Sequence, residues 1–242
     1  MKKQNFKILT VAIATIIFTG CANLNLPLDF PTQPTQPAGL TTAEIIEGLK
    51  EALTVGAKNA TSKVSKTDGF FKNSELFIPF PPEAIKVKNK LEQAGFKKQV
   101  DEFVLSLNRA AEDASSRALP IFTDAVKSMS INDAKNILNG NENAATQYLR
   151  DKTYSKLVQE FTPVVKQSIN KVKVTSYWNP VANTYNTLTA FTGGEQVNPN
   201  LEEYITTKAI DGVFLMIAKE EALIRKDPAA RITDILKKVF GN

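Results

Sequence analysis

Any chemistry in this 242-residue chain has to come from carboxylates, amines, guanidinium groups and hydroxyls. There is no histidine, and Cys21 is the single cysteine. Histidine is the usual general base near neutral pH and the commonest metal ligand. Its absence excludes zinc centres and histidine-based triads, and no metal or cofactor is expected.

Three groups of polar residues merit weighing as sites. Asn108, Arg109 and Glu112 come first. On a helix, Asn108 and Glu112 share a face at i, i+4, and Arg109 meets Asp113 in the same way. They could grip a polar or anionic ligand. The favoured reading is an exposed ion-pair ladder continued by Arg117, because such ladders are common and each pair contributes only ~0.2–0.5 kcal/mol. Asp211 comes second. It interrupts an apolar run, so it should be paired, hydrogen-bonded or protonated. A structural salt bridge is favoured over a general acid, and Arg225 would need a partner from a neighbouring helix. Glu220 and Glu221 are adjacent and point about 100° apart, so they are no catalytic dyad. Glu221 is placed to pair with Arg225 at i, i+4, and Arg231 with Asp234 at i, i+3. Ser168-Ile169-Asn170-Lys171 has the Ser-x-x-Lys spacing of penicillin-recognising enzymes. The accompanying Ser-Asp-Asn and Lys-Thr-Gly elements are missing.

The elements that would position these residues are helices. Thr41-Thr42-Ala43-Glu44 is a capping box opening a helix to about Ala60. Residues 66–82 break the pattern: Asp68-Gly69 and Asn73-Ser74 are turn pairs, and Leu76 to Pro82 is apolar and stopped by proline. That stretch fits a short edge strand or an arm laid across helices. Pro82 opens a helix ending near Gly95. Phe96 to Met129 reads as one long helix or two abutting ones, with a break or kink expected at Pro120. Ser130 caps a short helix to Leu138. Another runs from about Ala144 to Val172, and Ser176 to Pro180 interrupts the helical pattern. A weaker helix then closes at Thr192-Gly193-Gly194. Asn198-Pro199 starts a helix that is apolar nearly all round between Ala209 and Ala218, as a core helix should be. A final amphipathic helix is expected after Asp227-Pro228. Trp178, Tyr177 and the Phe77–Phe80 stretch could form an apolar surface, with core packing favoured.

The N-terminus carries its own message. Lys2, Lys3 and Lys7 precede an apolar run from Ile8 to Phe18, too short for a membrane span of ~20 residues. With Phe18-Thr19-Gly20-Cys21 behind it, this reads as a secretory signal over residues 1–20, cut before a lipidated Cys21. Residues 21–39 hold Pro27, Pro31, Pro34 and Pro37 and form a tether. Residues 40–242 are long enough for one domain with a core. Without residues 1–20 the chain has 27 Lys and Arg against 25 Asp and Glu, a net charge of +2. So weak a charge argues against nucleic acid, which calls for a clustered basic face.

These segments together resemble a bacterial envelope family catalogued as domain-of-unknown-function family 4197. The matching pieces are Asp101-Glu102-Phe103, Asn108 to Glu112, Pro120-Ile121-Phe122 and Ala144-Ala145-Thr146. Further pieces are Ala209 to Gly212, Glu220-Glu221, Ile224-Arg225, Pro228 to Arg231 and Thr233 to Gly241. The resemblance implies an all-helical exported domain and carries over no catalytic or ligand residue. The resulting expectation is an all-α, single multi-helix bundle-like domain behind a lipidated tether. It would face the periplasm from the outer membrane, attached through its N-terminal lipid. Its work would be non-enzymatic, binding a protein partner or itself. The alternatives are a carrier or sensor of an apolar ligand held between helices, and a carboxylate-based hydrolase.

Overall fold

The computed structural model describes residues 41–171, 178–193, 196–197, 200–227, 234 and 237. Cys21, the tether, Arg231 and, apart from Asp234 and Lys237, the expected last helix lie outside them. The described residues form an all-helical fold. In chain order the helices are α1 (Thr42–Val64), α2 (Ile85–Gln93), α3 (Lys97–Ser115), α4 (Ala118–Lys127), α5 (Ile131–Leu138), α6 (Ala144–Asn170), α7 (Trp178–Thr192) and α8 (Leu201–Lys226), with a 3-10 turn at Pro82–Ala84.

Local signals set most of the helix starts. Thr41 and Glu44 close a reciprocal capping box on α1, and Ser130 and Asp133 close another on α5. Each satisfies two backbone donors that the first helical turn leaves free. The break in the 97–127 stretch falls at Ser116-Arg117, not at Pro120. Pro120 sits in the first turn of α4, where its missing N–H has no intrahelical partner to lose. Residues 76–82 are the arm and not a strand.

The core lies where α8 packs against α1, α3 and α6. Phe122 and Phe214, both buried, meet edge to face with centroids 5.6 Å apart. Burying each such ring stabilises the fold by about 1.5–3 kcal/mol. Trp178 opens α7 as a core residue: it stacks on Phe103 at 5.5 Å and meets Phe80 of the arm edge-on at 5.7 Å. Of the arm's aromatics, Phe70 and Phe80 are buried and Phe77 is exposed.

At Gly212 the Phe70 ring of the arm packs directly against α8. A Cβ there would sit 2.6 and 2.8 Å from the ring of Phe70, which is fully buried and cannot swing away. Gly212→Ala gains about 1 kcal/mol of helix propensity and overpacks a full site at about 1–3 kcal/mol. We expect a net loss of about 1 kcal/mol, read as a lower urea midpoint at unchanged slope. A raised midpoint would mean that the Phe70 ring has room to move.

Candidate functional site

The residues selected from sequence are brought together in two clusters, one on α3 and one on α8. In the first, helix α3 meets the 66–80 arm. Asn108 and Glu112 lie on one face of α3, as their spacing requires, and both are buried, at 0% and 3% exposure. Asn108 treats the arm as a strand partner would. Its Oδ1 accepts from the Ile78 N–H at 2.8 Å and its Nδ2 donates to the Ile78 carbonyl at 2.8 Å. Glu112 Oε1 accepts from the backbone N–H groups of Phe70 and Phe71 at 3.0 and 3.1 Å.

Arg109 spans the two sides. Its Nη1 donates to Glu112 Oε2 at 2.6 Å and its Nη2 to Asp68 Oδ1 at 2.7 Å. The guanidinium lies over the Phe71 ring at 5.6 Å. The exposed ladder therefore does not form. Arg109 turns to Asp68 and Glu112 instead of Asp113, and Asp113 accepts from Ser168 Oγ at 2.8 Å. Ser168 is thereby tied to a carboxylate across α3 and α6.

Backbone geometry explains why the arm reaches these partners. Asp68 has φ +68°, the left-handed region that Asp tolerates better than most residues. Gly69 follows because a Cβ there would lie 2.5 Å from the Val64 carbonyl oxygen. The turn sends the Phe70 and Phe71 N–H groups toward Glu112. Asp68 is held below the usual carboxylate range, first by the Lys72 ammonium and then by Arg109. Arg109 is in turn raised by Glu112 and then by Asp68. The stabilisation from Asp68 is present above its unfolded pKa and is lost as pH falls through the lowered folded value.

The second cluster is on α8. Glu221 is buried and reaches the first turn of α6. Its Oε1 accepts from the Ala145 N–H at 3.0 Å, and its Oε2 from the Thr146 N–H and hydroxyl at 2.8 and 2.7 Å. Asn143, at the N-cap of α6, contributes no side-chain cap. A carboxylate from another helix fills that role and complements the positive end of the α6 dipole. Arg225 pairs with Glu221 as the i, i+4 spacing predicts, and also donates to the Ile137 carbonyl at 3.2 Å at the end of α5. Glu220, on a different face, accepts from Asn59 Nδ2 at 3.0 Å and from Lys63 Nζ at 2.5 Å, both on α1.

The remaining candidates fall outside both clusters. Asp211 is not buried: its side chain is 45% exposed, at the margin of the apolar run, and pairs with Arg150 of α6. That is the structural salt bridge favoured for it, with Arg150 as the partner. Asp234 lies 3.7 Å from Lys237, an exposed pair. Its expected partner Arg231 is outside the described residues.

Among the described residues, no group of three or more Asp, Glu, His or Cys could hold a metal ion, and no helix is long and apolar enough to cross a membrane. The matching pieces quoted from the sequence between Asp101 and Arg225 fall on the described helices, and the model of one family spans residues 39 to 241. The chain belongs to the DUF4197 family, described as proteins of unknown function. No curated protein and no solved structure matches it.

For this DUF4197 chain, sequence reasoning missed Asp68 and Asn59 as partners and the capping role of Glu221. The Asp68-Gly69 pair was the available signal for the first. Nothing local to Glu221 points to residues 145 and 146.

Proposed function

We propose that this chain acts by binding, as a non-enzymatic interaction or assembly domain tethered through a lipidated Cys21 to the periplasmic side of the outer membrane. One observation carries the non-enzymatic part. The buried acids Glu112, Glu220 and Glu221 are each engaged by backbone or cationic groups of the fold itself. A carboxylate hydrolase needs two acids converging in a cleft; these three point into separate helix junctions.

The surface that favours a protein partner is α7. Its fifteen residues contain no Asp, Glu, Lys or Arg in a chain that is 23% charged. Leu188 and Phe191 are 62% and 86% exposed on it. Charge depletion with exposed aromatic side chains is the compositional signature of an interface core. The apolar-carrier reading has less support: the cleft between α1 and α8, lined by Leu49, Leu53, Ile217 and Ile224, has a volume of about 30 Å³, room for about one water.

A photo-crosslinking residue at position 191 of the full chain, activated in cells, tests the reading. A discrete protein adduct, absent when the crosslinker replaces the exposed Lys166 of α6, is the expected result. Monomer alone from position 191 would overturn α7 as the contact face.

A further inference from the structure

A second surface feature lies beside α7. Helix α2 has no fully buried residue and meets the core through partly buried Leu91, so core packing does not account for its lysine-bearing face. One of its faces presents Lys86, Asn89, Lys90 and Gln93, at i, i+3, i+4 and i+7. With Val87 and Tyr185 of α7 these residues line an open cleft of about 340 Å³. Ligand sites commonly start at that size.

The charges in the cleft are unbalanced. Lys88, on another face, is neutralised by Glu92 at 2.9 Å. Among the described residues, Lys86 and Lys90 have no carboxylate within ion-pairing distance and no acid lines the cleft. Like charges at i, i+4 destabilise a helix, so an anion between them relieves a cost that the fold leaves in place. Two ammonium groups, two amides and a phenol supply more donors than one carboxylate can accept. They match the three or four oxygens of a phosphate, for which lysine is an established point-charge binder.

We propose that the α2–α7 cleft binds a phosphate group, presented by an anionic lipid headgroup or by a small phosphorylated molecule. Exposed Ile85 of α2 and Leu188 of α7 give the two helices apolar surface as well. The inference does not depend on the proposed α7 partner, since it rests on Lys86 and Lys90 and not on Phe191.

The full chain in maltoside micelles, which contain no phosphorus, can be titrated with glycerol 1-phosphate and separately with dihexanoyl phosphatidylglycerol. The phosphorus NMR signal of each probe reports binding. Saturable broadening is expected, with affinity falling about fivefold per lysine in Lys86→Gln and Lys90→Gln and more than tenfold in the double variant. Lys88→Gln is the control and should bind like the parent. These substitutions are at exposed positions or, for Lys88, a surface pair, and unchanged helical circular dichroism verifies folding. Binding of both probes supports the site with either source; binding of phosphatidylglycerol alone identifies a lipid headgroup. Absence of saturable binding to either probe, or equal affinity in the double variant, overturns the proposal.

Discussion

Glu221→Ala is expected to lower stability by about 3–5 kcal/mol, the cost of removing one partner of a buried, hydrogen-bonded charge pair. The substitution leaves the Ala145 and Thr146 N–H groups and the Thr146 hydroxyl without their acceptor and removes the carboxylate from Arg225, which keeps the Ile137 carbonyl. Each buried donor left unsatisfied costs about 1–3 kcal/mol, less where water can enter. Glu221→Gln keeps the shape and one carbonyl oxygen, so its loss should be roughly half as large. Urea unfolding at constant slope measures both. A loss under about 1 kcal/mol for the alanine variant would show that the start of α6 finds another cap.

Glu112→Ala is expected to cost about 3–4 kcal/mol, because the Phe70 and Phe71 N–H groups and Arg109 all lose their acceptor. The damage should be local as well as global. Amide exchange at Phe70 and Phe71 should accelerate more than exchange in the middle of α6, because the arm is held by α3 side chains and the α6 interior by its own backbone ladder. Uniform acceleration across both regions would contradict a clasp confined to the arm. In the parent chain, acidification through the lowered pKa of Asp68 should loosen the same turn, since protonation removes the charge that Lys72 and Arg109 engage.

The parts of this fold legible in the sequence are those decided within about four residues. The capping boxes at Thr41 and Ser130 needed only a hydroxyl and an acid three positions on. The Glu221–Arg225 pair needed only helical spacing, and the depth of α8 only its run of apolar residues. The arm clasp failed that test. Read locally, Arg109 belongs with Asp113, and only folding brings Asp68, 41 residues away, within 2.7 Å. A buried glutamate that ends at a backbone N–H 42 residues distant looks, in sequence, the same as one in a solvated row. Pro120 misled for the opposite reason: proline marks a helix boundary, and whether it stands just inside the start or at a kink depends on where the preceding helix ends.

The junction of α1 and α8 fixes when this protein can fold. Asn59 and Glu220, which join those helices, are 161 residues apart, and the apolar face of α1 has α8 as a principal partner. A chain delivered from its N-terminus presents that face long before the residues that cover it arrive. Closing so long a loop also comes at an entropic cost that later contacts must offset. Until α8 is present, α1 remains a site for a holding factor or for misassociation. The fold is thus completed only once its late helix α8 has been made.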